Sequence, residues 1–130
     1  MLIMKVMVVE DEIYIREGIS RLLTRLGGDY EMVGEAENGL QGCEMAVQLR
    51  PDIIITDIRM PVMDGLESAR RIRTSGRPDA RRIPIIALTA NAFDEDTRKS
   101  LASGMNGHLS KPIQVDQMLE TLGKCMGLKK

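Results

Sequence analysis

Three acids, a hydroxyl and a lysine have the types and places to do chemistry together: Glu10 and Asp11, Asp57, Thr89 and Lys111. Each ends or follows an apolar run: Val6-Met7-Val8-Val9, Ile53-Ile54-Ile55, Ile85-Ile86-Ala87-Leu88 or the short Gly107-His108-Leu109-Ser110. Carboxylates crowded together repel, so either one keeps its proton or a cation neutralises them. A hard divalent ion such as Mg²⁺, or Mn²⁺ in its place, suits oxygen ligands; Mg²⁺ keeps several waters, matching one or two carboxylates plus a phosphoryl oxygen. Thr89 can donate a hydrogen bond and Lys111 a positive charge to that phosphoryl group, whose transfer is catalysed mostly by positioning and charge neutralisation. An aspartate can itself be the nucleophile and form an acyl phosphate, and Asp57, ending the central run, is the candidate. Singly, each residue has a plainer role: Thr89 a cap, Lys111 a surface charge, Glu10 and Asp11 helix N-terminal acids. Their shared place at strand ends argues for a site.

The apolar pattern shows which strands and helices carry these residues. Ile53 to Ile55, with no polar alternation, predict a strand covered on both faces, as in a parallel sheet flanked by helices. The working site of such a sheet lies beyond the carboxyl ends of its strands. Pro61 and Asp64-Gly65 then build a turn after Asp57. Val6 to Val9 predict a second buried strand. Ile15, Ile19, Leu22, Leu23 and Leu26 recur as one helix face that stops at Gly27-Gly28. Met32 to Glu37 read as a weaker edge strand. Asn38-Gly39 opens a helix with Leu40, Cys43, Ala46 and Val47 inward, and Pro51 closes its link to the central strand. After Gly65 a helix carries Leu66, Ala69 and Ile72 on one side and Arg70, Arg71 and Arg73 on a solvated face. Thr74 to Arg82 read as a mobile loop. Ile83 to Leu88 form a strand ending in Thr89, and Asp94-Glu95-Asp96 open a helix that Gly104 ends. Gly107 to Ser110 lead to Lys111-Pro112, and Val115, Met118, Leu119, Leu122, Cys125 and Met126 mark a last helix. Five βα units with parallel strands imply an α/β, doubly wound three-layer sandwich, with the runs ending at Val9, Thr56 and Leu88 in its middle.

Composition bounds the rest. The 130 residues suffice for one domain, 1–130, with a real core and no need of disulfides. Hydrophobic content of 43%, charged content of 28% and a formal net charge of -1 give no electrostatic pull on nucleic acid or membrane. The apolar start runs straight into Glu10-Asp11-Glu12 and lacks a basic beginning and a cleavage site, so it reads as a strand and not a signal peptide. Cys43 and Cys125 fit a core in a reducing, cytoplasmic compartment, and a single His108 without CxxC spacing rules out a zinc cluster. Ten methionines against two tyrosines and one phenylalanine suggest a core filled by flexible thioethers.

Four ordered motifs, VVEDE, TDIRMPVMDG, ALTA and LSKP, make the chain resemble the receiver domain of two-component response regulators over nearly its whole length. The resemblance implies a flavodoxin-like sheet in strand order 2-1-3-4-5, an order that pattern alone does not fix. It implies that Asp57 accepts a phosphoryl group from a histidine kinase or histidine phosphotransfer protein. Asp11, Asp57 and the Arg59 backbone carbonyl would ligate Mg²⁺, with Glu10 acting through a coordinated water. Thr89 and Lys111 would hold phosphoryl oxygens, and the Lys111–Pro112 bond would be cis. Arg59 and Asn91 occupy positions that influence how fast water removes the phosphoryl group.

In this family phosphorylation draws the threonine inward and rotates an aromatic residue three positions before the lysine. That reshapes the face of the fourth helix, fifth strand and last helix. His108 holds the aromatic position here, and its protonation near neutral pH would tune the switch. TAN followed by an acidic helix, and MNGHLSKPI, look like receivers of hybrid sensor kinases, whereas VVEDEIYIREGI looks like receivers of transcription regulators. The expected function is a phosphoacceptor switch, not an enzyme acting on outside substrates, with dimerisation through the fifth strand and last helix on phosphorylation. Two competing readings are a docking module that needs no phosphorylation and a Mg²⁺-dependent phosphatase working through an aspartyl phosphate. The intact acid, threonine and lysine set argues against the first. Arg59, standing where a second acid would serve turnover, argues against the second. A flavodoxin-like cofactor binder lacks its phosphate-cradling glycine loop.

Overall fold

The computed structural model describes residues 3–25, 29–58, 63, 65–75, 83–89, 104–111 and 113–125. Their elements are β1 (Met4–Val9), α1 (Ile13–Arg25), β2 (Tyr30–Ala36), α2 (Gly39–Leu49), β3 (Ile53–Asp57), α3 (Gly65–Arg73), β4 (Ile85–Thr89), β5 (Gly107–Ser110) and α4 (Val115–Cys125). The strands form one parallel sheet in the order β2-β1-β3-β4-β5, as the resemblance implied. The turn at Pro61 and Asp64, the ends expected at Gly27-Gly28 and Met126, most of the loop from 74 to 82, nearly all of the helix expected from 94 to 104, and Pro112 lie outside the described residues.

Alternation along the strands divides the core between two faces. Val6, Val8, Ile53, Ile55, Ile86, Leu88 and Leu109 meet Ile19 and Leu23 of α1 and Met118 and Leu122 of α4. Met7, Val9, Ile54, Ile85 and Ala87 meet Ala46 of α2 and Ala69 and Ile72 of α3. Every residue of β3 and β4 is buried, whereas the edge strands β2 and β5 are only partly so. The uninterrupted isoleucines are thus the consequence of a helical layer on each side.

Three sequence expectations need correction. Leu40 and Val47, expected inward, are 41% and 55% exposed; α2 buries Gly39, Gly42 and Ala46 instead. The reason is distance: a Cβ on Gly42 would stand 2.9 Å from Val9 Cγ2, so the helix lies too near the sheet for large side chains. Leu119, also expected inward, is 51% exposed, because Met118 and Leu122 already fill the face of α4 that meets the core. Arg73 is not solvated. Its guanidinium donates to the carbonyls of Ile83 (2.6 Å) and Gly104 (2.6 Å) and to Asn106 Oδ1 (2.7 Å). Elsewhere local chemistry matches expectation: Asn38 caps α2 by accepting from the Gln41 amide at 2.8 Å.

Candidate functional site at the carboxyl ends of the strands

The strand order reverses direction at β1, whose neighbours are β2 on one side and β3 on the other. The crevice at such a reversal is where open α/β sheets bind ligands. Glu10 and Asp11 follow β1 and Asp57 ends β3, so the reversal brings them to one place. One carboxylate oxygen from each lies within 4.8 Å of the others.

Hydrogen bonds fix the backbone around Glu10, Asp57, Thr89 and Lys111. The Glu10 amide donates to Ala36 O at 2.9 Å, and Glu10 Oε2 accepts from the Glu12 amide at 3.1 Å. Past Asp57, the Gly65 amide donates to Ile58 O at 2.8 Å, and a Cβ on Gly65 would run into the Asp57 carbonyl, so only glycine fits. Met63, which lies between them in the sequence, is tied to α2, because the Gly39 amide donates to its carbonyl at 2.8 Å. The Lys111 amide donates to Thr89 O at 2.9 Å, which brings the ends of β4 and β5 together.

Lys111 closes the site electrostatically. Its Nζ donates to Asp57 Oδ2 at 3.3 Å and forms an ion pair with Glu10 Oε1 at 3.1 Å. Glu10 is fully buried and Asp57 is 7% exposed, while Asp11 faces solvent. Burial raises the Glu10 carboxyl to about 7; the Glu12 amide opposes this, Asp57 adds to it, Lys111 opposes it and Asp11 adds to it. For Lys111 burial disfavours the charge, but Asp57 and Glu10 outweigh it and the pKa is raised. Among the described residues one lysine stands beside three acids. Hard oxygen donors this close, one of them buried at the cost of its ordinary pKa, fit a divalent cation.

Thr89 Oγ1 is buried and has no hydrogen-bond partner among the described residues. A native structure rarely leaves a buried hydroxyl unpaired unless a ligand or water completes it. His108 lies on β5 opposite Ala87 and is half-buried. Arg59 and Asn91 lie outside the described residues. The pattern of strand ends did not reveal Arg16, which is 8% exposed and donates to the Glu10 carbonyl at 2.7 Å and to Glu35 Oε1 at 3.1 Å. A signal for it exists: positions 16, 19 and 23 share one helix face, so an arginine interrupts the stripe that Ile19 and Leu23 bury.

Residues 6–123 match the model of the response regulator receiver domain. The chain is 35% identical to the probable histidine kinase 2 of Oryza sativa subsp. indica, over 95% of its own length and 13% of that protein. It is 33% identical to the nitrate/nitrite response regulator protein NarL of Escherichia coli, over 90% of its own length and 52% of that protein. It therefore spans about half or less of these curated relatives. Among solved structures it is similar to the receiver domain of sensor histidine kinase PA1611 from Pseudomonas aeruginosa, with a TM-score of 0.84, 35% identity and 97% and 99% of the two chains covered. That structure has a magnesium ion coordinated in its active site cleft. Chemotaxis protein CheY4 of Vibrio cholerae gives a TM-score of 0.83 at 32% identity, covering 95% and 99% of the two chains. The family match runs from β1 into α4 and encloses every strand-end residue of the site, and the chain belongs to the response regulator receiver domain family.

Proposed function

We propose that this chain is a phosphorylation-controlled switch of a two-component phosphorelay in which Asp57 is the phosphoacceptor. Receiver domains are regulatory phosphoacceptors, served by histidine kinases or phosphotransfer proteins. The observation that carries the reading is Lys111 Nζ, 3.3 Å from Asp57 Oδ2 and 3.1 Å from Glu10 Oε1, beside the cluster that Glu10 and Asp57 form with Asp11. In the step itself an Asp57 carboxylate oxygen attacks phosphorus, the bond from phosphorus to the donor's imidazole nitrogen breaks, and the freed imidazole is protonated. Lys111 turns from Asp57 to a phosphoryl oxygen, and the unpaired hydroxyl of Thr89 donates to another. Asp11 and Asp57, with the backbone carbonyl of Arg59, would hold Mg²⁺ or Mn²⁺, and Glu10 would act through a coordinated water. Such a cation, when bound, neutralises carboxylates and phosphoryl oxygens so that like charges can meet. Water later removes the phosphoryl group, at a rate that Arg59 and Asn91 influence.

The consequence of phosphorylation would be mechanical. Engagement of Thr89 biases a two-state shift in which His108 is the switch side chain, and the face of β5 and α4 changes shape for an output partner or a second copy. Residues 1–130 would act as one cytoplasmic receiver unit, with no direct contact to nucleic acid or membrane. Among the described residues no helix is long and apolar enough to cross a membrane.

Intact mass after incubation with a small phosphodonor tests the reading. The parent should gain a single phosphoryl adduct that requires Mg²⁺ and disappears in Asp57→Asn. An unlabelled parent, beside a receiver labelled in the same conditions, would overturn it.

A further inference from the structure

The guanidinium of Arg16 has no part in the chemistry above, yet a charged side chain left 8% exposed needs partners to remain there. Its partners join three elements. Nη1 donates to the carbonyl of Glu10, in the turn after β1, at 2.7 Å, and Nε donates to Glu35 Oε1, near the end of β2, at 3.1 Å. The Glu10 amide is also tied to β2, through Ala36 O at 2.9 Å. Both backbone polar groups of residue 10 are therefore fixed, and its carboxylate is turned back onto the Glu12 amide.

Such fixing opposes a definite force. Three carboxylates within 4.8 Å repel one another, and the two on the β1–α1 turn could relieve that repulsion by swinging away from Asp57. Arg16 prevents the swing without spending its charge on the site. It donates to a carbonyl there and gives its ion pair to Glu35, so the negative charge of the triangle is left for Lys111 and a cation. A lysine would supply charge without the two-armed geometry.

We infer that Arg16 is a positioning residue that sets the spacing of the Glu10 and Asp11 carboxylates against Asp57 and so tunes divalent-cation affinity. This rests on the proposed switch reading for its biological use. The clamp itself can be tested by metal binding alone. Groups that hold ligands in place from behind change metal affinity by about 10- to 100-fold when removed.

The experiment is calorimetric titration of Mg²⁺ into the parent, Arg16→Met and Arg16→Lys, at a temperature where circular dichroism shows the protein folded. The same variants are then labelled with a small phosphodonor across a range of Mg²⁺ concentrations. Arg16→Met should bind Mg²⁺ about 10- to 100-fold more weakly, with its labelling rate recovering as Mg²⁺ is raised, and Arg16→Lys should fall between. A merely structural arginine would change the melting temperature but not the Mg²⁺ dependence. Parent-like affinity in folded Arg16→Met overturns the inference; should that variant not fold, parent-like affinity in Arg16→Lys does so. A parent that binds Mg²⁺ but takes no phosphoryl group sinks the switch reading and leaves the clamp standing. A labelled parent with unchanged affinity in the variants sinks the clamp alone.

Discussion

Burial holds the Glu10 carboxyl near 7 against an ordinary 4.5, and that displacement has a thermodynamic sign. The folded chain keeps a proton that the unfolded chain would release, so the stability it confers is complete below about 4.5 and is lost as pH rises through about 7. In chelator, thermal melts should therefore show stability falling across that window, by something on the order of 1 to 3 kcal/mol. Glu10→Gln should flatten the slope, because its side chain carries no proton to lose. A slope that persists unchanged in Glu10→Gln would assign it to other groups. The three acids that cluster here and the lysine beside them were legible as types at strand ends, since a carboxylate or lysine after a buried run has few other reasons to recur. Arg16 was not, because its burial depends on Glu35, nineteen positions away on another strand.

Elements were legible where one local rule decided them. Uninterrupted apolar runs mark β3 and β4, and Asn38 marks the start of α2. Their relative placement was not, since parallel neighbours are joined by long crossovers that leave no local pairing signal; the order of strands came from resemblance alone. Arg73 shows how such placement defeats a pattern. On α3 it reads as a third solvated arginine, but it reaches the carbonyls of Ile83 and Gly104 and the Asn106 side chain, which in turn accepts from the Ile85 amide at 2.9 Å. It fastens the end of α3 to the starts of β4 and β5, at the edge of the sheet away from Asp57. Arg73→Met strips a charged donor from these acceptors and should destabilise the fold by about 2 to 3 kcal/mol in urea unfolding. Folded Arg73→Met should still take a phosphoryl group on Asp57 at a rate within a few-fold of the parent. Full loss of labelling with intact stability would show that the clamp reaches the site.

The sheet is a scaffold that holds three acids where they would not stay by themselves. The core on both faces offsets that repulsion, and a cation that binds only the folded chain should add to stability by mass action. At about 100 times its dissociation constant the gain is about 2.7 kcal/mol, or roughly 10 °C in melting temperature for a domain of this size. The gain must depend on pH. Below about 7 the buried Glu10 carboxyl holds a proton that disfavours a cation beside it, so the ion has to displace it or bind a site with less negative charge. Melting temperatures with and without Mg²⁺ should therefore differ more at pH 8 than at pH 6, and Asp57→Asn, with one carboxylate fewer, should gain less at both. The fall in stability expected in chelator as pH rises should shrink or reverse in Mg²⁺. An equal Mg²⁺ effect at pH 6 and pH 8 would uncouple Glu10 from the metal site and leave Asp11 and Asp57 as the carboxylates that matter to the ion.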